Sequence, residues 1–402
     1  MTSQAAVWQP LRRRGFALLW TSQVVSGFGD RITLIGLAYL SWVVTGSTLV
    51  TALAVVVSTV PHAILGLFAG SFADAYGRRR AMVVCDVGRA IVVAALPAAF
   101  WLGLPLGVMY ALVFAATSFS AVFNPARLAL TPDLLEHDEL GRGNALLIAS
   151  DRVVDVAGSL LAGVLVQAVT VLAFYVDAAS FLLSAFLLMQ IGMSREPRST
   201  LSAAAIWKDA RDGLRVIRNV SALWTNTVFS LIAQLSIPVF NSLMPVLIFK
   251  AFGGATEYGI AEGAFALGAV AAGLLLPAAF QSMHKGRLVV LGFAAFGLVL
   301  LVIARANDFA TLVLLLVIAG VANMLSFIPN VTIAQEITPP TYRARVFGAR
   351  IALLNLTWLP VIFVSGALGD VIGVTPLIAI AGAVTLLTAI AGAFIPAVRD
   401  VP

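Results

Sequence analysis

Charge is scarce in this chain. Of its 402 residues only 11% are Asp, Glu, Lys or Arg, and a single cysteine, Cys85, excludes any intramolecular disulfide. Histidine is as rare: His62, His137 and His284 are scattered, with no HExxH pair and no nucleophile elbow to organise them. A phosphate-cradling GxxxxGKS or GxxxxGKT loop is also missing, so direct use of ATP is not expected. The sequence calls for no cofactor and no metal, and an intramembrane enzyme is the weakest of the functional readings.

What fills the chain instead is apolar: 60% of residues are hydrophobic, more than a water-soluble fold of this length can hide. A bilayer core of about 30 Å takes about 20 apolar residues per helix. Apolar stretches of that order run over 15–44, 48–72, 81–103, 106–130, 144–168, 170–192, 222–249, 256–279, 287–304, 309–333, 346–370 and 374–396. The expected fold is an all-α membrane protein with twelve transmembrane helices and no room for a soluble catalytic domain. The N-terminal flank carries Arg12, Arg13 and Arg14 as a signal peptide would. The apolar run behind it is too long for an h-region and contains Gly29-Asp30-Arg31, so it reads as a retained first helix.

The net charge of +6 is distributed by side. Arginines and lysines collect in the loops of one face, whereas the opposite loops receive only Lys250 and Arg305. That asymmetry puts the basic face, and with an even number of spans both termini, in the cytoplasm of a cell (inner) membrane. Membrane lipids, through their anionic headgroups, are the expected partner of the surplus cations, and nucleic acid is not.

Residues 193–221 form the longest polar stretch and follow the sixth span. Ile206, Ala210, Leu214 and Ile217 make one apolar stripe there, opposite Lys208, Arg211, Asp212, Arg215 and Arg218. The segment reads as an amphipathic helix lying on the inner membrane surface and tethering two bodies, 1–192 and 222–402. The halves echo each other faintly: a proline near a helix end, a polar loop and an arginine recur in 121–147 and 325–351. Two six-helix bundles related as parallel repeats are how large secondary transporters are built, with the substrate site near the bilayer midplane.

The segment GSFADAYGRRRA, residues 70–81, joins the second and third spans. Its order of Gly70, Asp74, Gly77, Arg78, Arg79 and Arg80 resembles the cytoplasmic loop signature of the major facilitator superfamily. Residues 22–40, 123–147, 177–188 and 209–219 bring the chain closer to the branch holding the enterobactin exporter and macrolide efflux proteins. Physics supplies a reason for each position. Gly70 follows Gly66 by four, a face that allows close helix approach, and Gly77 permits a tight turn. Asp74 favours the positive end of the third helix, while the arginines hold the loop at the anionic surface and offer it partners. Asp86, Arg89 and Arg127 extend the charges inward. By resemblance this cluster is a gate that latches the cytoplasmic ends of the two halves; the second half has Met283 where the acid stands, so the latch is expected to be asymmetric.

Charges also fall within the spans. An Asp, Lys or Arg facing lipid near the midplane costs roughly 2.5–3.5 kcal/mol, so such residues face protein or a watery cavity. The proton-coupling candidates are Asp30, Asp151, Asp155, Asp177 and Glu262, with Arg31 and Arg152 as charge partners. Asp30 shares a face with Gln23 and Ser26 and pairs poorly with Arg31, about 100° round the helix. Arg152 and Asp155 are spaced to neutralise each other. Asp177 and Glu262 lie nearer the outer ends of their spans, where a solvated helix-end acid is the plain alternative. His62, four after Ser58, has two readings, a place on a cavity wall or packing, with packing favoured.

The resemblance implies a cavity walled by the first, fourth, seventh and tenth spans. Candidate lining residues are Gln23, Ser26, Phe114, Thr117, Asn124, Phe229, Gln234, Asn241, Asn323, Phe327 and Asn330. Few charges among many apolar and aromatic groups suit a bulky amphipathic ligand. Exporters of the superfamily carry a Gly-Pro pair on the fifth helix; here Gly158 is followed by Ser159, which predicts a straighter helix. The expected function is proton-coupled export of amphipathic small molecules by a monomer, through alternating access. Import or flipping of a nutrient or lysophospholipid on the same scaffold is the alternative.

Overall fold

A computed structural model describes residues 8–192, 203–279, 283–339 and 342–401. Side chains are described for all of these except 63, 66–75, 203–210, 276–279 and 344. Helix is the only regular structure among the described residues, which follows from the solvent: lipid offers backbone groups no partner, so each segment must satisfy its own.

The first six spans are α1 (Arg14–Thr45), α2 (Thr48–Tyr76), α3 (Arg78–Trp101), α4 (Leu106–Leu134), α5 and α6 (Ala173–Met189). In α5 a π turn, Val154–Gly158, joins the α-helical segments Leu140–Val153 and Ser159–Val169. After them come the linker helix α7 (Ala203–Asn219), a broken α8 (Ser221–Ala233 and Ser236–Ala251) and α9 (Ala255–Ala279). The chain closes with α10 (Lys285–Ile303), α11 (Phe309–Ile337), α12 (Arg343–Ile372) and α13 (Val374–Ala393). Among the described residues nine helical stretches are long and apolar enough to cross a membrane, and one of them, Leu140–Met189, has 50 residues, enough for two passages. Together with α1, of 32 residues, and α2, of 29, they supply the twelve expected crossings.

The chain divides into two compact units: Met1–Leu40 with Val57–Ala203, and Ser41–Val56 with Ala204–Pro402. The boundaries expected from sequence put Ser41–Val56 in the first body, yet this hairpin tip groups with the second unit. Close approach to α12 is the reason. A Cβ added at Gly366 would come within 3.0 Å of Leu49 Cα, and one at Gly369 within 2.5 Å of Thr48 Cγ2.

In the first unit, Leu19, Met82, Cys85, Phe123, Leu130 and Leu188 from α1, α3, α4 and α6 form one buried cluster. In the second, pairs of glycines set the helix crossings. A Cβ at Gly268 would stand 1.9 Å from Val317 O and one at Gly320 2.1 Å from Phe265 O, so α9 and α11 touch backbone to backbone. Helices α10 and α13 meet in the same way at Gly297 and Gly382.

The linker helix differs from its expected pattern. Ile206 and Ala210 lie outside the described side chains, and of the other two stripe residues Ile217 is buried but Leu214 is 44% exposed. The docked face runs from Gly213 to Ile217 instead, because a Cβ at Gly213 would stand 2.2 Å from Arg345 O. Ile217 packs with Leu223, Ala334, Val346 and Ala349, which ties this end of α7 to the second unit.

Candidate functional site

Six residues of α1, Ser26 to Arg31, organise the first unit. A Cβ at Gly27 would meet Val154 Cγ1 of α5 at 3.0 Å, and one at Gly29 would meet Asp177 Oδ1 of α6 at 2.2 Å. These two glycines let α5 and α6 close on α1. The next two residues then point to different neighbours, as a 100° step per residue requires. Asp30 turns to Arg89 of α3, with Oδ1 and Oδ2 at 3.3 and 3.4 Å from Nη1. Arg31 turns to Asp155 in the π turn of α5, which also receives Arg152 at 2.8 Å.

Between them lies a cavity of about 480 Å³. Its lining includes four carboxylates, Asp30, Asp151, Asp155 and Asp177, and four guanidiniums, Arg31, Arg89, Arg127 and Arg152. Of the residues named from sequence as cavity candidates, Gln23, Thr117 and Asn124 lie on this wall, together with Thr33, Ser58, His62 and Ser120. This wall is far more charged than the aromatic chamber the sequence suggests. Fixed ion pairs make that tolerable, since a buried charge persists when it is paired and hydrogen-bonded.

The pairs differ in how tightly they are held. Arg89 is 2% exposed, donates to Asp86, and lies over the Phe181 and Phe123 rings at 4.1 and 4.8 Å. Asp86, fully buried, also accepts from Ser184 Oγ at 2.6 Å. Asp30, by contrast, is 48% exposed and meets Arg89 only through long contacts of 3.3–3.4 Å. Arg127 reaches Asp151 through contacts of 3.3–3.4 Å. Asp177 is no solvated helix-end acid: it is fully buried and held by the hydroxyls of Thr33 and Ser180. Glu262 is half-buried on α9.

Several expectations change on contact with the fold. The fifth helix lacks proline but is not regular, because the π turn takes up an extra residue where Asp155 bridges Arg31 and Arg152. His62 is exposed on the cavity wall rather than packed. Ser26 is buried and donates to Gln23 O, while Phe114 is exposed outside the cavity lining. Phe229 joins the second unit's core beside Phe293, ring centroids 5.8 Å apart. Asn330 is engaged by Arg350 and donates to Ser230. Arg350 itself is buried, donating to Asn226 and Asn330. Gln234 ends the first segment of α8, Asn241 and Asn323 are half-buried, and Phe327 is exposed.

At the loop between α2 and α3, Gly70 and Asp74 fall among the residues whose side chains lie outside the description. Gly77 has φ +83°, the turn conformation expected of it. Arg78 donates to Asp133 and to Ala129 O of α4, and Arg79 to the last carbonyls of α6, where the helix end is negative. Arg80 is exposed. Sequence reasoning missed Gly27 and Gly29, whose alternation ahead of an Asp-Arg pair was the available signal, and Ser184 and Phe181, for which there was none.

Helical throughout its described residues, with a charged cavity inside one half, the protein is built as a membrane transporter. Comparison places it more narrowly. Residues 5–400 match the transmembrane secretion effector family of the major facilitator superfamily, and the chain belongs to that family. Macrolide efflux protein A of Streptococcus pyogenes is 23% identical over 392 residues, 96% of each chain. The multidrug efflux pump Tap of Mycolicibacterium fortuitum is 24% identical over 405 residues, 97% of each chain. Among solved structures, the nucleoside transporter NupG superposes with a TM-score of 0.76 at 12% identity, covering 93% of this chain and 98% of its own. A POT peptide transporter gives 0.75 at 13% identity, covering 96% of this chain and 95% of its own. These likenesses define the fold.

Proposed function

We propose that this protein is a proton-coupled exporter of amphipathic small molecules, working by alternating access from a cell membrane. One observation carries the coupling: Asp30 opens onto the cavity on loose contacts, while its partner Arg89 is locked by Asp86 and two phenyl rings. Protonation of Asp30 sacrifices only its weak contacts and leaves the Asp86–Arg89 pair intact. The site therefore releases and reforms one ion contact per cycle without dismantling the interior. A proton entering down the membrane potential supplies about 2.3 kcal/mol per 100 mV. Efflux-type relatives over the full length support the outward direction.

In this reading both termini face the cytoplasm, and the protein works as a monomer. Gly70, Asp74, Gly77 and Arg78 to Arg80 form the inner gate, with membrane lipids around the basic face. Asp151, Asp155 and Asp177 hold the electrostatics around the coupling acid, and Glu262 is a further proton-coupling candidate.

Reconstitution tests the reading. Vesicles with an imposed pH gradient should concentrate an amphipathic dye such as ethidium, and Asp30→Asn should abolish that gradient-driven uptake while inserting normally. Gradient-driven transport at the parent rate in Asp30→Asn removes Asp30 from the coupling step. In whole cells an uncoupler should raise dye retention; lowered retention reverses the direction.

A further inference from the structure

The lining of the first unit's cavity sets four carboxylates against four guanidiniums, with Asp86 as a fifth carboxylate buried behind it, and the charge is polarised along the wall. Two carboxylates, Asp86 and Asp30, share the single guanidinium of Arg89. Asp86 is fully buried and takes the close contact, so the surplus negative charge stands on Asp30, 48% exposed. Asp177, held by the hydroxyls of Thr33 and Ser180, lines the same cavity. On the α5 side the stoichiometry is inverted. Two guanidiniums, Arg31 and Arg152, share the single carboxylate of Asp155, one on each oxygen. The surplus positive charge is carried by Arg152, 53% exposed. Arg127 and Asp151 balance each other. The two poles originate at consecutive residues of α1, Asp30 and Arg31, whose side chains diverge by about 100°.

We propose that this cavity selects cargo bearing both a cationic amine and a carboxylate, the amine docking at Asp30 and the carboxylate at Arg31 and Arg152. The proposal rests on the exporter reading and narrows its substrate class. A ligand with one charge satisfies one pole and desolvates the other without return, whereas a zwitterion completes both. A pole that a bound ligand covers but does not pair loses its water at a cost, and a guanidinium fork suits a carboxylate through paired N–H donors. A site built around a polar group rejects the analogue that lacks it more strongly than an apolar pocket rejects a missing methylene.

The test uses three probes of nearly one shape on the detergent-purified full chain: ciprofloxacin, which carries both charges, its ethyl ester, which keeps the amine, and its N-acetyl derivative, which keeps the acid. Calorimetric titration should rank ciprofloxacin at least about tenfold tighter than either derivative. Arg152→Gln should erase its advantage over the ester, and Asp30→Asn its advantage over the N-acetyl form. Both positions are half-exposed, and a monodisperse elution profile verifies that the variants are folded. An ester that binds as well as the parent, variants that weaken all three probes alike, or a parent that does not bind each overturn the proposal. Gradient-driven transport of ciprofloxacin by the reconstituted protein is measured in parallel. If it persists without the zwitterion preference, the exporter reading stands and this inference falls; if the preference persists without it, the reverse holds.

Discussion

The carboxylate of Asp370, in the last turn of α12, accepts a 2.5 Å hydrogen bond from the backbone N–H of Thr48, the first residue of α2. It also accepts from Ser47 Oγ at 2.8 Å and from the Leu49 N–H at 3.2 Å. A residue more than 300 positions away thus supplies the N-terminal cap of the second helix. It answers the unsatisfied donors of that first turn and the positive end of the helix together. Loss of an N-terminal cap costs about 1 kcal/mol. Asp370→Ala is expected to cost that much and to speed hydrogen exchange at the Thr48 and Leu49 amides. Unchanged protection there sinks the assignment.

Gly320 has no room for a methyl group. Its Cβ would stand 2.1 Å from Phe265 O and 2.8 Å from Ala269 N, both backbone atoms that cannot rotate away. Gly320→Ala should force α9 and α11 apart at a cost of about 1–3 kcal/mol. Gly107→Ala, where nothing lies within 4 Å, serves as the control. Thermal inactivation of the two purified variants should separate them by several degrees, and equal midpoints contradict the close crossing.

Arg89 and Asp30 should behave oppositely although they touch. Arg89→Met leaves Asp86 buried without its cation, and removal of one partner of a buried pair typically costs about 3–5 kcal/mol. Asp30→Asn removes a half-exposed carboxylate and should leave the melting midpoint nearly unchanged while removing proton coupling. The comparison is made by melting both variants in detergent and assaying both in vesicles. A stable Arg89→Met protein contradicts the locked pair.

Outside the membrane, Asp308 caps α11, accepting from the Thr311 N–H at 2.8 Å. That backbone donor, with the Thr311 side chain next in weight, holds the Asp308 carboxyl below its ordinary range. A depressed carboxyl stabilises the fold at every pH above its unfolded value of 3.8 and loses that contribution as pH falls through the lower folded value. Asp308→Ala should therefore raise exchange at the Thr311 amide near neutrality, and the difference should close in acid below about pH 4. A difference that is independent of pH means the cap is not the carboxylate.

The twelve spans were legible because crossing a bilayer imposes a length and a composition on each segment separately. The turn at Gly77 was legible for a similar local reason: one residue, one backbone conformation. The partners of the buried charges were not. Asp30 looked poorly matched beside Arg31, but its cation, Arg89, arrives on α3, and Arg31 finds its acid on α5. Nothing in the spacing of one helix reports the rotation of the next. The linker helix shows the same limit: its stripe was drawn through Leu214, and the contact with Arg345 shifted the docked face to Gly213.

The chain by itself therefore determined that this is a helical membrane transporter, and which residues resist lipid. Those are properties of segments against a uniform solvent, and the solvent reads composition. Tertiary structure alone decided which acid meets which base, that α5 carries a π turn, and that the tip of α1 and α2 groups with the second unit. Those outcomes depend on helix rotation and crossing distance, set where glycines on one helix admit the neighbour's backbone or side chain. That complementarity lives in two segments at once and cannot be read from either alone.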